Sequence, residues 1–298
     1  MSISKDIKPE DKIIPLRHYG RWVSGALVIL LLGLIVRAFI DGQIDWGVVQ
    51  QFFFADTLLK GLGNTLLLTV CSMAVGLILG ILFAVMRMSD NPVTRGFAGL
   101  YIWIFRGTPI YLQLLLWFNL ALIFPVLNLG FVEYQMVDLM TPFCAALLGL
   151  GINEGAYMTE IVRSGILSVD KGQMDASASL GMNRLTAMRR IILPQAMRVI
   201  VPPVGNEFIG LLKTSSMASA IAFAEILYHA QLIYFVNAKV MELLIVATGW
   251  YLIVVTLLTI AQGFVERYFN RGHERNVKRS VFDIFISTVR LKRPAKGA

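Results

Sequence analysis

The chain is poor in the residues that most protein chemistry requires. It holds two cysteines and three histidines in 298 residues. Cys71 and Cys144 both lie inside apolar segments, which leaves no basis for a disulfide framework and makes them small packed hydrophobes. His18, His229 and His273 are too scattered to ligate one metal ion. No Gly-x-x-x-x-Gly-Lys-Ser/Thr phosphate loop occurs; the run Gly210-Leu211-Leu212-Lys213-Thr214 lacks the spacing. No nucleophile stands beside a base, so neither a catalytic centre, a metal nor a bound cofactor is expected. Charge is scarce as well: 15% of residues are charged against 56% hydrophobic, with a mean hydropathy of +0.68. That balance excludes an ordinary soluble domain and indicates a polytopic membrane protein. The net charge of +8 does not point to nucleic acid, because the basic residues are confined to segments flanking the apolar runs, where they meet cytoplasm and anionic lipid.

What is abundant is apolar sequence. A bilayer core of roughly 30 Å needs about 20 helical residues, and six spans are predicted against that standard: Trp22–Ile40, Leu62–Met86, Tyr101–Gly130, Leu139–Val162, Ala196–Leu212 and Leu243–Val265. Arg37 near the end of the first must snorkel to the interface. The second has no charge, and Gly76 and Gly80 give it a small-xxx-small face for close helix packing. The third is interrupted by Arg106-Gly107-Thr108-Pro109, a predicted break or kink. The fifth, holding Pro202 and Pro203, is expected to be an irregular helix buried in the bundle. Thr214–Asn237, with Glu225, His229 and Gln231, is expected to be a gating or interfacial helix on the outer side. The polar start of the chain precedes an apolar run with no small-residue cleavage site, so that run is expected to be a retained anchor.

Orientation follows from lysines and arginines, which accumulate in cytoplasmic segments. Residues 1–21 hold five, 87–95 two, 163–198 six and the tail from 266 nine, while 41–57 and 130–139 hold none. Both termini and the interval 163–198 are therefore expected in the cytoplasm.

Within that cytoplasmic interval, Gly172–Pro194 is polar, basic and rich in small residues. Asp170 followed by Gln173 predicts a capping box opening a helix from Lys171 to Leu180, Gly181 a left-handed C-cap, and Asn183 the cap of a second helix with Leu185, Met188 and Ile192 as its apolar stripe. Pro194 closes this helix or starts the next. Ala176, Ser177, Ala178 and Ser179 allow another surface to approach the backbone. Asp175-Ala176-Ser177, then Gly181, then Ile191-Ile192-Leu193-Pro194 resemble the EAA loop of ABC importer permeases, with Asp for Glu and Ser for the second Ala at the family's spacing. The resemblance implies a coupling helix, with Asp175, Ala176, Ser177, Leu180, Gly181 and Pro194 engaging a separate ATPase subunit.

Phe105–Pro109 with Gln113-Leu114, Ala156–Ile161, Leu193–Ala196 and Pro202–Ile209 narrow the likeness: the chain resembles polar amino acid permeases of ABC importers over about 58–270. The resemblance implies an all-α polytopic bundle, the type I importer transmembrane domain, with five core helices plus one N-terminal helix. It divides the chain into 1–57 (N-terminus, extra helix and outer loop), 58–270 (transport domain) and 271–298 (basic cytoplasmic tail). It also implies a multi-pass protein of the bacterial inner membrane that imports polar or charged amino acids. Its implied partners are ATPase subunits that bind the ATP, an extracytoplasmic solute-binding protein, a second permease subunit (identical or not), the amino acid and membrane lipid, with no nucleic acid. The rival class is an ion-coupled secondary transporter, in which Glu154 and Glu160 would carry protons; no pair of matching halves supports it.

An ionisable side chain inside a membrane is a functional candidate by default. Asn153, Glu154 and Tyr157 share a helical face suited to an ammonium group, and a carboxylate at 154 favours cationic substrates. Arg106 either meets a substrate carboxylate or snorkels. Asn206 and Glu207, after the prolines, either line the path or brace the backbone. Glu160 has Arg163 at i+3 and is expected to form an ion pair.

Overall fold

A computed structural model describes residues 19–128, 130 and 133–269. The cytoplasmic tail predicted at 271–298, and His18 and His273, lie outside the described residues. The chain forms two compact units, one up to Trp46 and one from Gly47. The described part of the first is essentially one helix, α1 (Tyr19–Ile40). Arg37 near its end donates from Nε to Asp41 Oδ2 at 3.2 Å, a partner one turn on.

The boundary falls at the first residue of a short amphipathic helix, α2 (Trp46–Phe53), in a stretch expected to be an outer loop. Its Val48, Val49, Phe52 and Phe53 pack against Leu58, Ile226, Leu243 and Val246, and Phe53 O accepts from Trp250 Nε1 at 2.7 Å. Next comes α3 (Asp56–Arg87), the longest helix among the described residues at 32 residues. Its partner is α7 (Pro142–Leu167), started by the Thr141 hydroxyl, which accepts from Cys144 N, with Pro142 in the first turn. The seam between them is made of small residues. A Cβ at Gly76 would stand 2.8 Å from Glu154 Cγ, and one at Gly151 would stand 2.8 Å from Val75 Cγ1. Thr65 and Thr69 of α3 donate their hydroxyl protons to Gly61 O and Thr65 O at 3.0 and 2.7 Å, which satisfies these buried groups within their own helix. The expected small-residue face is thus the central packing surface.

The third expected span differs. It is α4 (Pro92–Gly107) and a nine-residue α5 (Ile110–Phe118), separated at Thr108-Pro109. The helix does not continue to Gly130: β1 (Val126–Asn128) and β2 (Glu133–Gln135) pair antiparallel. Asn128 turns the chain there, accepting from Gly130 N at 2.7 Å and donating to Glu133 at 2.6 Å. A short α6 (Met136–Leu139) leads into α7.

After α7 come α8 (Lys171–Ser179), α9 (Arg184–Ala187), a π-helical turn over Met188–Ile192, and α10 (Leu193–Thr214). The irregularity expected at Pro202-Pro203 is displaced, since α10 runs through both prolines. Gln262 of the last helix donates to Pro202 O at 3.2 Å and lies where a Cβ at Gly205 would be, so that helix closes over the stretch. A 3-10 segment (Ser215–Ile221) then leads to α11 (Ile226–Asn237) and the final α12 (Val240–Phe269). Among the described residues, Trp22–Ile40, Asp56–Arg87 and Val240–Phe269 are each long and apolar enough to cross a membrane, and Arg184–Ile221 with Ile226–Asn237 qualifies as a pair bent by 45°. α7 has the length for a span at 26 residues, with its polar cluster turned into the bundle.

Candidate functional site

The break between α4 and α5 is held open by side chains. Gln113 Nε2 lies 3.0 Å from Phe105 O, 3.1 Å from Thr108 O and 2.8 Å from Thr108 Oγ1. Asn153 of α7 donates to Phe105 O at 2.6 Å. These carbonyls have lost their helical donors at Pro109, and two amide side chains replace them. Gln113 is a residue whose role the sequence does not announce; the signal available was an amide four residues beyond a proline.

The result is a cavity of about 370 Å³ where the start of α5 faces α7 and α10, lined by Thr108, Asn153, Glu154, Tyr157, Glu207 and Thr214 among others. Glu154 is 5% exposed, and its Oε1 has no hydrogen-bond partner among the described residues. The contact of its Cβ and Cγ with Gly76 fixes the side chain from behind. Tyr157 carries the Arg106 guanidinium over its ring, 4.9 Å from the centroid. Glu154 and Glu207 share this lining, and the Arg106 guanidinium stands beside it on the Tyr157 ring.

Of the six pathway candidates, Asn153, Glu154, Tyr157 and Glu207 line this cavity and Arg106 sits beside it. Asn206 is exposed and accepts from Gln262 Nε2 at 3.1 Å, on the side of α10 that meets α12. Glu160 is outside the cavity, bound to Arg163 Nη2 at 2.6 Å, the expected ion pair.

The second candidate site is the 170–194 loop. Asp170 Oδ1 accepts from Gly172 N at 2.7 Å, but the reciprocal half of the capping box does not form: Gln173 Oε1 accepts instead from Gln195 Nε2 at 3.3 Å, which ties the loop to α10. α8 closes with Gly181 at φ +75°, Gly181 N on Ala178 O at 2.9 Å and Met182 N on Ser177 O at 3.0 Å, a Schellman ending. Asn183 then caps α9 by accepting from Thr186 N at 2.8 Å. The expected second helix is only four residues long before the π turn, and its apolar stripe splits: Ile192 is buried while Leu185 is 78% exposed. Ser177 is buried against its own chain, whereas Asp175 and Ala176 face outward. Leu180 is 80% exposed, so two leucines flank the Gly181 turn with no cover. Pro194 lies in the first turn of α10, which it starts rather than ends.

Comparison with known proteins agrees with this geometry. Residues 76–271 match the family described as binding-protein-dependent transport system inner membrane component. The chain is 45% identical over 266 residues to the arginine transport system permease protein ArgU of Corynebacterium glutamicum, covering 88% of this chain and 84% of that one. It is 38% identical over 229 residues to the L-cystine transport system permease protein TcyB of Bacillus subtilis, covering 76% and 92%. A crystal structure of an amino acid ABC transporter with histidines superposes with a TM-score of 0.66 at 34% identity, covering 76% of this chain and all of that one. The MetNI methionine transporter in an inward-facing form gives a TM-score of 0.56 at 20% identity, a likeness of fold.

Proposed function

Because the chain belongs to the family of binding-protein-dependent transport system inner membrane components, we propose that its α5–α7–α10 cavity passes a cationic amino acid and that its 170–194 loop receives the work of the partner ATPase. The chain is a transmembrane permease subunit of an amino acid ABC importer, it is not itself an enzyme, and ATP hydrolysis is done by the partner. An ATPase and a solute-binding protein are its partners; a second permease, identical or related, completes the path. Both termini lie in the cytoplasm, in keeping with the basic segments that flank the spans.

The observation that carries the substrate class is Glu154. A carboxylate oxygen buried without a partner is costly, and a substrate cation entering the cavity supplies the missing contact. Glu207, Tyr157 and Thr214 complete a lining suited to an amino acid with a basic side chain. The 45% identity to an arginine permease supports the same class. The test is competition: complex reconstituted with its ATPase and binding protein takes up labelled arginine, and unlabelled amino acids are added in excess. Lysine or ornithine should suppress uptake while glutamine and glutamate do not. Equal suppression by glutamine would discard the cationic assignment.

At the loop, Asp175, Ala176, Leu180 and Leu185 form the exposed surface offered to the ATPase, and the Gly181 turn sets the angle between α8 and α9. Ser177 and Pro194 hold that surface from behind.

A further inference from the structure

A second, larger cavity of about 780 Å³ runs along the side of the bundle between α3, α7, α10 and α12. Among the described residues that line it only Gln262 is polar, and its Nε2 already lies within 3.2 Å of Pro202 O, Asn206 Oδ1 and Glu266 Oε1. The rest is hydrocarbon and thioether, with Met73, Met88, Met188 and Met197 as adaptable walls. Ile81, Val85 and Val265 belong to the lining and are 54%, 60% and 45% exposed. The cavity is therefore a groove that opens sideways, between two helices long and apolar enough to cross a membrane. α10 gives Val201, Val204 and Phe208 to this groove and Glu207, Leu211 and Thr214 to the transport cavity.

The dimensions select the occupant. Along α3 the lining runs from Met73 to Met88 and along α10 from Leu193 to Ile209, roughly 22–24 Å at the helical rise. One leaflet of a bilayer, headgroups included, is about 20–22 Å thick. Spread over the groove's length, 780 Å³ leaves a cross-section of roughly 35 Å², against roughly 80 Å² or more for a helix 10–12 Å across. A helix, from this chain or a second copy, is too wide to enter, whereas a hydrocarbon chain is not.

One end of the groove is charged. Met88 directly follows α3, and Met188 opens the π turn. Arg184, one turn before Met188, and Arg189 and Arg190, just after it, are exposed, and no ion pair engages them among the described residues. Glu266, which follows Val265 of the lining, is occupied by Gln262 at 2.7 Å. Cations left free at the end of an apolar groove, in a segment expected on the cytoplasmic side, complement an anionic lipid headgroup.

We propose that this groove binds one anionic phospholipid of the cytoplasmic leaflet, its acyl chain lying along α3 and α10 and its phosphate against Arg184, Arg189 and Arg190. The apolar walls hold the tail and the arginines select the headgroup. The choice of leaflet rests on the importer reading given above.

The experiment is a native mass-spectrometric titration of the complex of this chain and its ATPase with phosphatidylglycerol or phosphatidylcholine of identical acyl chains. ATP-driven uptake is recorded on the same preparation in proteoliposomes. The parent should hold one phosphatidylglycerol per permease chain and prefer it to phosphatidylcholine by roughly a hundredfold, about fivefold for each arginine near an anionic lipid. Arg189→Gln combined with Arg190→Gln should cut that preference to about fivefold while phosphatidylcholine binds as before. Val204→Trp fills the groove and should abolish retention of both lipids. Ile81→Trp, at the half-exposed mouth, keeps the test open where Val204→Trp does not fold. Equal retention of the two lipids by the parent, a parental preference in the double arginine variant, or undiminished retention in Ile81→Trp overturns the site. Loss of a second permease copy from the Ile81→Trp complex overturns it too, because the groove would then hold a subunit. Uptake by a parent that shows no lipid preference removes the site alone, whereas a lipid-binding parent without ATP-driven uptake would sink the importer reading itself.

Discussion

Glu154→Gln keeps the volume of the side chain behind which Gly76 is packed and removes its charge. A hydrogen bond to a charged group is worth about 1.5 to 3 kcal/mol, so apparent affinity for a cationic amino acid should fall by roughly ten- to a hundredfold, with little change for a neutral one. Concentration-dependent uptake of arginine and glutamine by parent and mutant checks this; equal losses would remove Glu154 from substrate selection. Gly181 permits a similarly clean substitution. Nothing lies within 4 Å of a Cβ built there, so Gly181→Val adds no clash and acts only through the left-handed backbone, at about 1–2 kcal/mol or more for a β-branched side chain. The Schellman ending should loosen, and hydrolysis should continue without proportionate uptake while membrane insertion is normal. Gly181→Asn, which tolerates the same conformation, should retain most of the coupling; a well-expressed valine variant with parental uptake would contradict the assignment. At this scale the sequence was informative where one residue type has one physical use: Gly181, the Asn183 cap, the Glu160–Arg163 pair and the Glu154–Tyr157 face. It did not separate Asn206 from Glu207, which are adjacent in the chain but on opposite duties. Nor did it show that Gln173 would turn to Gln195 rather than to its own helix start, because that choice depends on a partner 22 residues away.

Among the elements, the α3–α7 seam is the one whose loss should be felt throughout. Overpacking a close helix contact costs about 1–3 kcal/mol, so Gly80→Leu, which would drive a side chain into Met158, should lower the thermal unfolding midpoint of the purified complex. Gly63→Leu, a helical glycine of α3 with open space around it, should leave that midpoint nearly unchanged, and equal effects would mean that the seam is not specific. The N-terminal helix belongs to a separate compact unit, so removal of residues 1–41 should leave a chain that still assembles with its ATPase; failure of co-purification would make that helix part of the core. Hydropathy made the long elements legible, because α3 and α12 are uninterrupted apolar runs. The elements it blurred are those whose backbone is satisfied from elsewhere. The α4–α5 break depends on Asn153 and Gln113, α10 passes two prolines with Gln262 against it, and the hairpin at 126–135 was absorbed into an apolar run although Asn128 and Gly130 mark the turn.

For the molecule as a whole, one chain provides a charged cavity and an exposed loop joined by α10, which lines the first and begins at the end of the second. Movement imposed at Gly181–Pro194 therefore has a continuous helical route, broken only by the π turn at Met188–Ile192, to Glu207 and Thr214. ATP hydrolysis is done by the partner subunit, and in the proposed coupling its work enters through that loop. The alignment with the arginine permease extends over 266 residues, longer than the 58–270 interval, so the likeness is not limited to the transport core. The most direct measurement is uptake of labelled arginine, with the binding protein present, by proteoliposomes holding the complex with either a competent or a hydrolysis-deficient ATPase subunit, each with ATP or with an ion gradient alone. The account predicts accumulation only with the competent subunit and ATP; accumulation driven by the ion gradient with the deficient subunit would contradict it.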